Sequence, residues 1–252
     1  MTALDVPQIF HRSRAAKKWA RARARQAQLG GATYLNDTIA NDVLERLEFM
    51  RFEPKAPLII GDAGNLMPSA FNSQGVPTNV ARLGELNEEE PGPPEKFDLI
   101  VHLLGLAMVN DLPGALIHAR SSLTAGGLFI GALPGAGSLP NLRQLALAAD
   151  GDRPAARIHP QIDIRAATGL LERAGFKRQV VDSYPIRVRF PSIERMISDL
   201  RDHGLTASLT TNSPPLTRTG WSRASELFET LREDDGKVSE TFEILVLTGW
   251  KN

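Results

Sequence analysis

Between residues 36 and 51 the apolar side chains Ile39, Val43, Leu44 and Leu47 recur at three- and four-residue steps. That is the stripe of a helix burying one face, with Asn36 or Asp37 placed to cap it. Residues 56–60 are wholly apolar and bounded by charge and glycine, which predicts a short strand covered on both faces. Residues 97–106 predict a second strand of the same kind. Residues 110–123 then read as a helix with Asn110 or Asp111 near its cap and Pro113 in its first turn. Thr-Ala-Gly-Gly ends that helix, and residues 128–133 predict the next strand. Strand, helix and strand in so short a span make a crossover, so the sheet is mainly parallel. Further along, a helix at 166–176 stops at Gly175. In the stretch from Lys177 to Phe190, alternation of Ile186, Val188 and Phe190 with Arg187 and Arg189 predicts a strand. Helices at 192–204 and 222–234 and a strand at 241–251 complete the pattern. Residues 72–96 carry the breakers Gly75, Pro77, Gly84, Pro91, Gly92, Pro93 and Pro94 and show little periodicity.

The first helix, over residues 11–28, is set apart by charge. Arg12, Arg14, Lys17, Lys18, Arg21, Arg23 and Arg25 fall in it without one acid, and several share a face. A solvated face is one reading of this helix, and docking to a protein partner or over the chain's own cleft is another. Glu85, Glu88, Glu89, Glu90 and Glu95 make an opposite patch before Phe97. Over the whole chain 29 basic residues match 29 acidic ones, so no global field draws it to nucleic acid. At 252 residues with 42% apolar side chains and no long apolar run, a membrane-spanning helix is not expected. The absence of cysteine excludes disulfides, thiolate nucleophiles and cysteine-bound zinc, and fits a reducing cytoplasm. The first thirty residues lack the apolar segment of a secretory signal. Five scattered histidines show no ligand spacing, so no metal site is expected.

"FDLIV", "VNDLPGALIHARSSLTAGGLFIGAL" and "LLERAGF", in that order, resemble the class I methyltransferase superfamily, which binds S-adenosylmethionine. Within it, "ARIHPQIDIRAATGLLERAGF", "SDLRDHG", "TFEILVLTGWK" and the leading "IFHRSRAAKKWARARARQ" resemble the arginine-hydroxylating assembly factors of respiratory complex I and their alphaproteobacterial relatives. The malonyl-carrier-protein methyltransferases of biotin synthesis are more distantly similar. The resemblance implies a Rossmann-like α/β domain with a seven-stranded sheet over residues 53–252, inserted helices around 190–235, and an N-terminal basic helical extension over 1–52. It implies S-adenosylmethionine as cofactor and a methyltransferase-family activity on an unknown acceptor. The rival expectation is an inactive relative that serves as a protein-binding assembly factor.

By the same resemblance, Asp62, Ala63, Gly64 and Asn65 would meet the amino acid end of the cofactor, Glu85 its ribose, and His102 and Leu103 the end of the next strand. Arg143, Arg157 and Arg165 would face the acceptor; no catalytic residue is singled out. Three departures stand beside these assignments. Setting Asp62 at the family's strand-end acid keeps Gly64 but puts Leu66 and Pro68 where two further loop glycines belong. Only 35 positions separate Asp62 from Phe97, where two helices and two strands need about 45 to 50, so the region of the second strand is expected to be abbreviated. Ala107 and Met108 replace a His-Trp pair of the assembly factors. Asp62, Gly64 and Asn65 read equally as a tight strand-to-helix turn, Asn110 and Asp111 as caps, and His102 as a core histidine or an acid-base group.

Overall fold

The computed structural model describes residues 6–252. Helices α1 (Arg12–Leu29) and α2 (Tyr34–Phe49) precede strand β1 (Pro57–Ile60), the short helix α3 (Leu66–Ser73) and strand β2 (Asn79–Ala81). Then come β3 (Phe97–Leu103), α4 (Leu112–Ser122), β4 (Leu123–Pro134), α5 (Pro140–Asp150), α6 (Ile164–Arg173), β5 (Lys177–Phe190), α7 (Ile193–Asp202), α8 (Arg218–Thr230) and β6 (Val238–Trp250). One sheet contains six strands in the order β2-β1-β3-β4-β6-β5. The first four are mutually parallel, while β6 runs antiparallel between β4 and β5.

Alternation along each strand divides the core into two layers. Ile59, Leu99, Val101, Leu103, Ile130 and Val246 point to the face covered by α2 and α3, through Leu35, Ile39, Val43, Met67 and Phe71. Ile60, Ile100, Phe129, Leu133 and Leu247 point to the other face, where Leu116 of α4 and Leu170 and Leu171 of α6 meet them. Burial of this kind contributes about 25 cal/mol per Å² of apolar surface and fixes each strand's parity. Beyond the sheet's edge, beside the long antiparallel pair β5–β6, α5, α7 and α8 gather around a smaller core of Leu145, Phe190, Met196 and Phe228.

The expected seven strands are six. The connection from β2 to β3, residues 82–96, holds neither helix nor strand, so a parallel crossover that ordinarily carries a helix is here a loop. Helix α4 ends at Ser122 and Thr-Ala-Gly-Gly already belongs to β4, because Leu123 pairs with Phe97 before the register shifts. Asp111 is the cap of α4, accepting from Gly114 N at 2.9 Å, while Asn110 instead accepts from Ile9 N and Phe10 N and ties down the N-terminal segment. Asn36 is no cap either: α2 starts two residues earlier and buries it.

Candidate functional site: a cleft beneath the first helix

At the C-terminal ends of β1, β2 and β3 the chain makes a loop whose shape depends on Gly61. Its φ of 86° suits only glycine, and a Cβ there would stand 2.5 Å from Leu103 O. Two residues on is Ala63, and two further is Asn65, left-handed at φ 54° before α3 begins. The loop is therefore registered from Gly61, with Ala63 and Asn65 at the following alternate positions. Leu66 and Pro68 lie inside α3, and Leu66 packs against the α2 side of the core rather than filling the cleft. Pro68 is the third residue of that helix, not the first.

Asn36 clamps this loop from α2. Its Nδ2 donates to Gly61 O at 2.7 Å and its Oδ1 accepts from Ala63 N at 2.8 Å. Asp62 is buried beside it. Its Oδ2 accepts from Met67 N at 2.8 Å, whereas Oδ1 is buried with no hydrogen-bond partner among the described residues. Burial pushes the Asp62 carboxyl above its ordinary value, opposed by backbone N–H groups of the helix start.

Helix α1 roofs the cleft. Trp19 inserts where two glycines allow it: a Cβ on Gly204 would stand 2.6 Å from Trp19 Cδ1, and one on Gly84 would stand 3.2 Å from Cε3. Arg23 donates to Leu83 O at 3.0 Å, and Arg25 donates to Asp202 Oδ1 at 2.5 Å and to Ser198 Oγ at 2.9 Å. Arg12, Arg14 and Lys18 also donate to backbone carbonyls of the body, so most of the helix's basic side chains bind the chain itself. Lys17 and Arg21 stay exposed. What remains beneath the roof is a cavity of about 50 Å³ lined by Trp19, Arg23, Asn36, Asp62, Leu83 and His203 among others. Cofactor pockets ordinarily enclose about 300–1,000 Å³. Part of the room is taken by Leu83, just past β2, whose Cδ2 lies 2.8 Å from the Cβ position of Gly61 and 2.6 Å from that of Gly105.

Among the residues expected at the cofactor, Asp62 and Ala63 line this cleft together with Gly61. Gly64 passes close to α2, its Cβ position 2.7 Å from Asp37 Oδ1. Leu103 is buried below, with its carbonyl against Gly61. Glu85 turns back on its own turn, accepting from Arg82 N at 2.8 Å. His102 shares the parity of Ile100 and faces the α4 side, where its Nε2 donates to Glu88 Oε1 at 3.0 Å. On the expected acceptor side lies a second cavity of about 190 Å³, bordered by Pro134, Arg157, His159, Gln161, Leu200 and Phe242. Arg157 lines it but spends its guanidinium on Asp150 and Pro214 O; Arg143 is exposed and donates to Gln161 at 3.1 Å, and Arg165 is exposed on α6. His159 accepts from Ser208 N at 2.7 Å, and burial, with Lys18 nearby, lowers its pKa to about 4. No cluster of potential metal ligands occurs among the described residues. No helix among them is long and apolar enough to cross a membrane.

Leu83 and Trp19 carry no assignment to the site from sequence, and Asn36 reads there only as a helix cap. Asn36 had a signal, since it sits on the apolar stripe of α2 three and seven residues from Ile39 and Val43. Gly61, the first residue past an apolar run, had one too.

The strand order, the loop after β1 and the crossover β3-α4-β4 define the class I methyltransferase fold. A solved structure from Bacillus halodurans, described as a putative methyltransferase, matches it with a TM-score of 0.51 over 82% of this chain and 98% of that one, at 13% identity. By sequence the chain is a homologue of the arginine-hydroxylase NDUFAF5 and of malonyl-[acyl-carrier protein] O-methyltransferases. It is 28% identical to the mitochondrial rat NDUFAF5 over 96% of this chain and 77% of that protein. Against the human NDUFAF5 it is 33% identical over 69% of this chain, which spans about half, 52%, of that protein. It is 26% identical to malonyl-[acyl-carrier protein] O-methyltransferase 1 of Coxiella burnetii over 82% of this chain and 77% of that one. No family model matches the chain.

Proposed function

We propose that this protein is an S-adenosylmethionine-binding member of the methyltransferase-fold group that includes NDUFAF5, with the cofactor held between the Gly61–Asn65 loop and α1. The observation that carries this reading is Asp62: a buried carboxyl with one oxygen unpartnered among the described residues, at the mouth of a loop with its backbone pinned by Asn36. Such a group suits the ammonium of an amino acid, and Gly61 and Ala63 line the cleft beside it with little side chain of their own. Bound there, the cofactor would supply an electrophilic methyl group. The residues that fit are those of the amino acid side; on the ribose side Leu83 stands in the way, so loading requires Leu83 and α1 to shift. The chain's own part is then to orient the cofactor and exclude water beneath Trp19, and to place an acceptor in the cavity by His159. The names of the relatives make an arginine, as a substrate of hydroxylation, or a malonyl group on an acyl-carrier protein, as a methyl acceptor, the candidate substrates. A cytoplasmic location is compatible with the cysteine-free composition, and exposed Lys17 and Arg21 are the part of α1 that could meet a protein partner.

The small cavity supports a second reading, an inactive assembly factor with α1 closed permanently over the cleft. Calorimetric titration of the full chain, Leu83→Ala and Asp62→Asn with S-adenosylmethionine and S-adenosylhomocysteine separates the two. Micromolar binding, about 8 kcal/mol, strengthened by Leu83→Ala and lost in Asp62→Asn, is the expected result. No heat at millimolar ligand from either the native chain or Leu83→Ala would overturn the cofactor reading and leave the assembly reading.

A further inference from the structure

On the opposite face of the sheet, the helix-less crossover leaves β1 and β2 uncovered beside α4. The result is a trough of about 430 Å³, much larger than the cleft under α1. Its floor is apolar, made by Leu58, Ile60, Ile100 and Phe129, and Leu116 and Ala119 of α4 form one wall. The loop from Leu86 to Pro93 forms the other. Val80 and Leu86 at its edge are 46% and 38% exposed, unusual for large apolar side chains flanking an apolar hollow. A broad apolar floor left open to solvent is the kind of surface that marks a binding groove.

We propose that this trough binds a small aliphatic amine, its chain along Ile60 and Phe129 and its head at Glu88. Glu88 lines the trough with its side chain only 14% exposed, and its Oε1 accepts from His102 Nε2 at 3.0 Å. Burial raises the Glu88 carboxyl, but the His102 hydrogen bond and charge, with smaller contributions from its own backbone N–H and from Arg12, more than offset it, so the group is held below its ordinary value as a carboxylate. A carboxylate at one end of an apolar trough selects a donor-bearing cation over an alcohol or an acid. Glu90 at the rim adds to that preference, while Lys96 and His118 also line the trough and disfavour a second cationic group.

The test is calorimetric titration of the full chain with decylamine, decanol and decanoate, each below its aggregation concentration, on the native protein, Glu88→Gln, Ala119→Trp and Val80→Trp. Thermal unfolding confirms that each variant folds, and Val80→Trp, on an exposed edge, serves should Ala119→Trp not fold. Saturable one-to-one binding is expected for decylamine, weakened about tenfold or more by Glu88→Gln, which leaves decanol unchanged, and reduced for every probe by a tryptophan in the trough. Saturating S-adenosylhomocysteine should leave decylamine affinity unchanged, which separates this site from the cleft under α1. Equal affinity for the three probes, decylamine binding indifferent to the tryptophans, competition by S-adenosylhomocysteine, or no saturable binding would each overturn the proposal.

Discussion

Leu83 lies against Gly61, its Cδ2 2.8 Å from the position a Cβ would occupy. The glycine that opens the loop after β1 is thus covered by a leucine from the end of β2, on the side where the fold's ribose acid is expected. Because Leu83 also touches Gly105, one side chain plugs the cleft from two directions.

Replacing Leu83 by alanine therefore enlarges the cleft. Leu83 is only half-buried, so the cost falls at or below the low end of large-to-small substitutions, about 1–2 kcal/mol. Affinity for S-adenosylhomocysteine should rise about tenfold or more in calorimetric titration. Unchanged affinity would show that Leu83 is not the obstacle.

Asn36→Ala removes both hydrogen bonds that hold the loop, leaving the buried Gly61 carbonyl unpaired. A loss of about 2 kcal/mol is expected in urea denaturation, within the range for an unsatisfied buried group. Asn36→Asp keeps the acceptor for Ala63 N but not the donor for Gly61 O, and should be no more stable than the native chain.

Asp202 is 2% exposed and holds two segments at once, Arg25 of α1 through Oδ1 and Ala32 N through Oδ2 at 3.0 Å. Because the Arg25 side chain is 34% exposed, Asp202→Asn should cost about 2–3 kcal/mol rather than the full penalty of a buried pair. The roof should loosen with it: trypsin, cutting at the basic residues of α1, is expected to act faster on the variant while the body stays intact.

His203 packs edge-on to Tyr34 with ring centroids 4.7 Å apart, and both its nitrogens are buried without partners among the described residues. Burial lowers its pKa from 6.5 to about 4, with Asp202 opposing. A histidine kept neutral in the fold contributes stability that is complete above about pH 6.5 and is lost as pH falls toward 4. The slope from this group is at most about 1.4 kcal/mol per pH unit. The buried carboxyls of Asp62, Asp199 and Glu240, raised by burial, act in the opposite sense at low pH. His203→Phe removes only the histidine contribution, so its stability, measured by urea melts from pH 7 to pH 4, should fall less steeply than that of the native chain. Parallel curves would show that His203 is not neutralised by burial.

Local pattern determined much of this protein. The stripe Ile39, Val43 and Leu47 and the apolar runs at β1, β3 and β4 are short-range signals of burial. Such signals predicted most of the helices and strands and the parallel crossover through α4, while the shortening around β2 was expected from the resemblance to the methyltransferases; α5 and β2 themselves were not foreseen. The same motifs carried the likeness to the methyltransferases. The contents of the sites were decided only by tertiary contacts between residues distant in sequence. Leu83 meets Gly61 and Gly105, Trp19 meets Gly204, and Asn36 reaches Gly61 from a helix read as merely capped by it. His102 shows the division within one residue. Its parity with Ile100 was legible in the chain, but its pairing with Glu88 depends on where the loop from 82 to 96 passes, and no periodicity records that path. Side-chain period reports that a position is buried; which side chain fills a cleft is settled by close packing among all the segments that converge there.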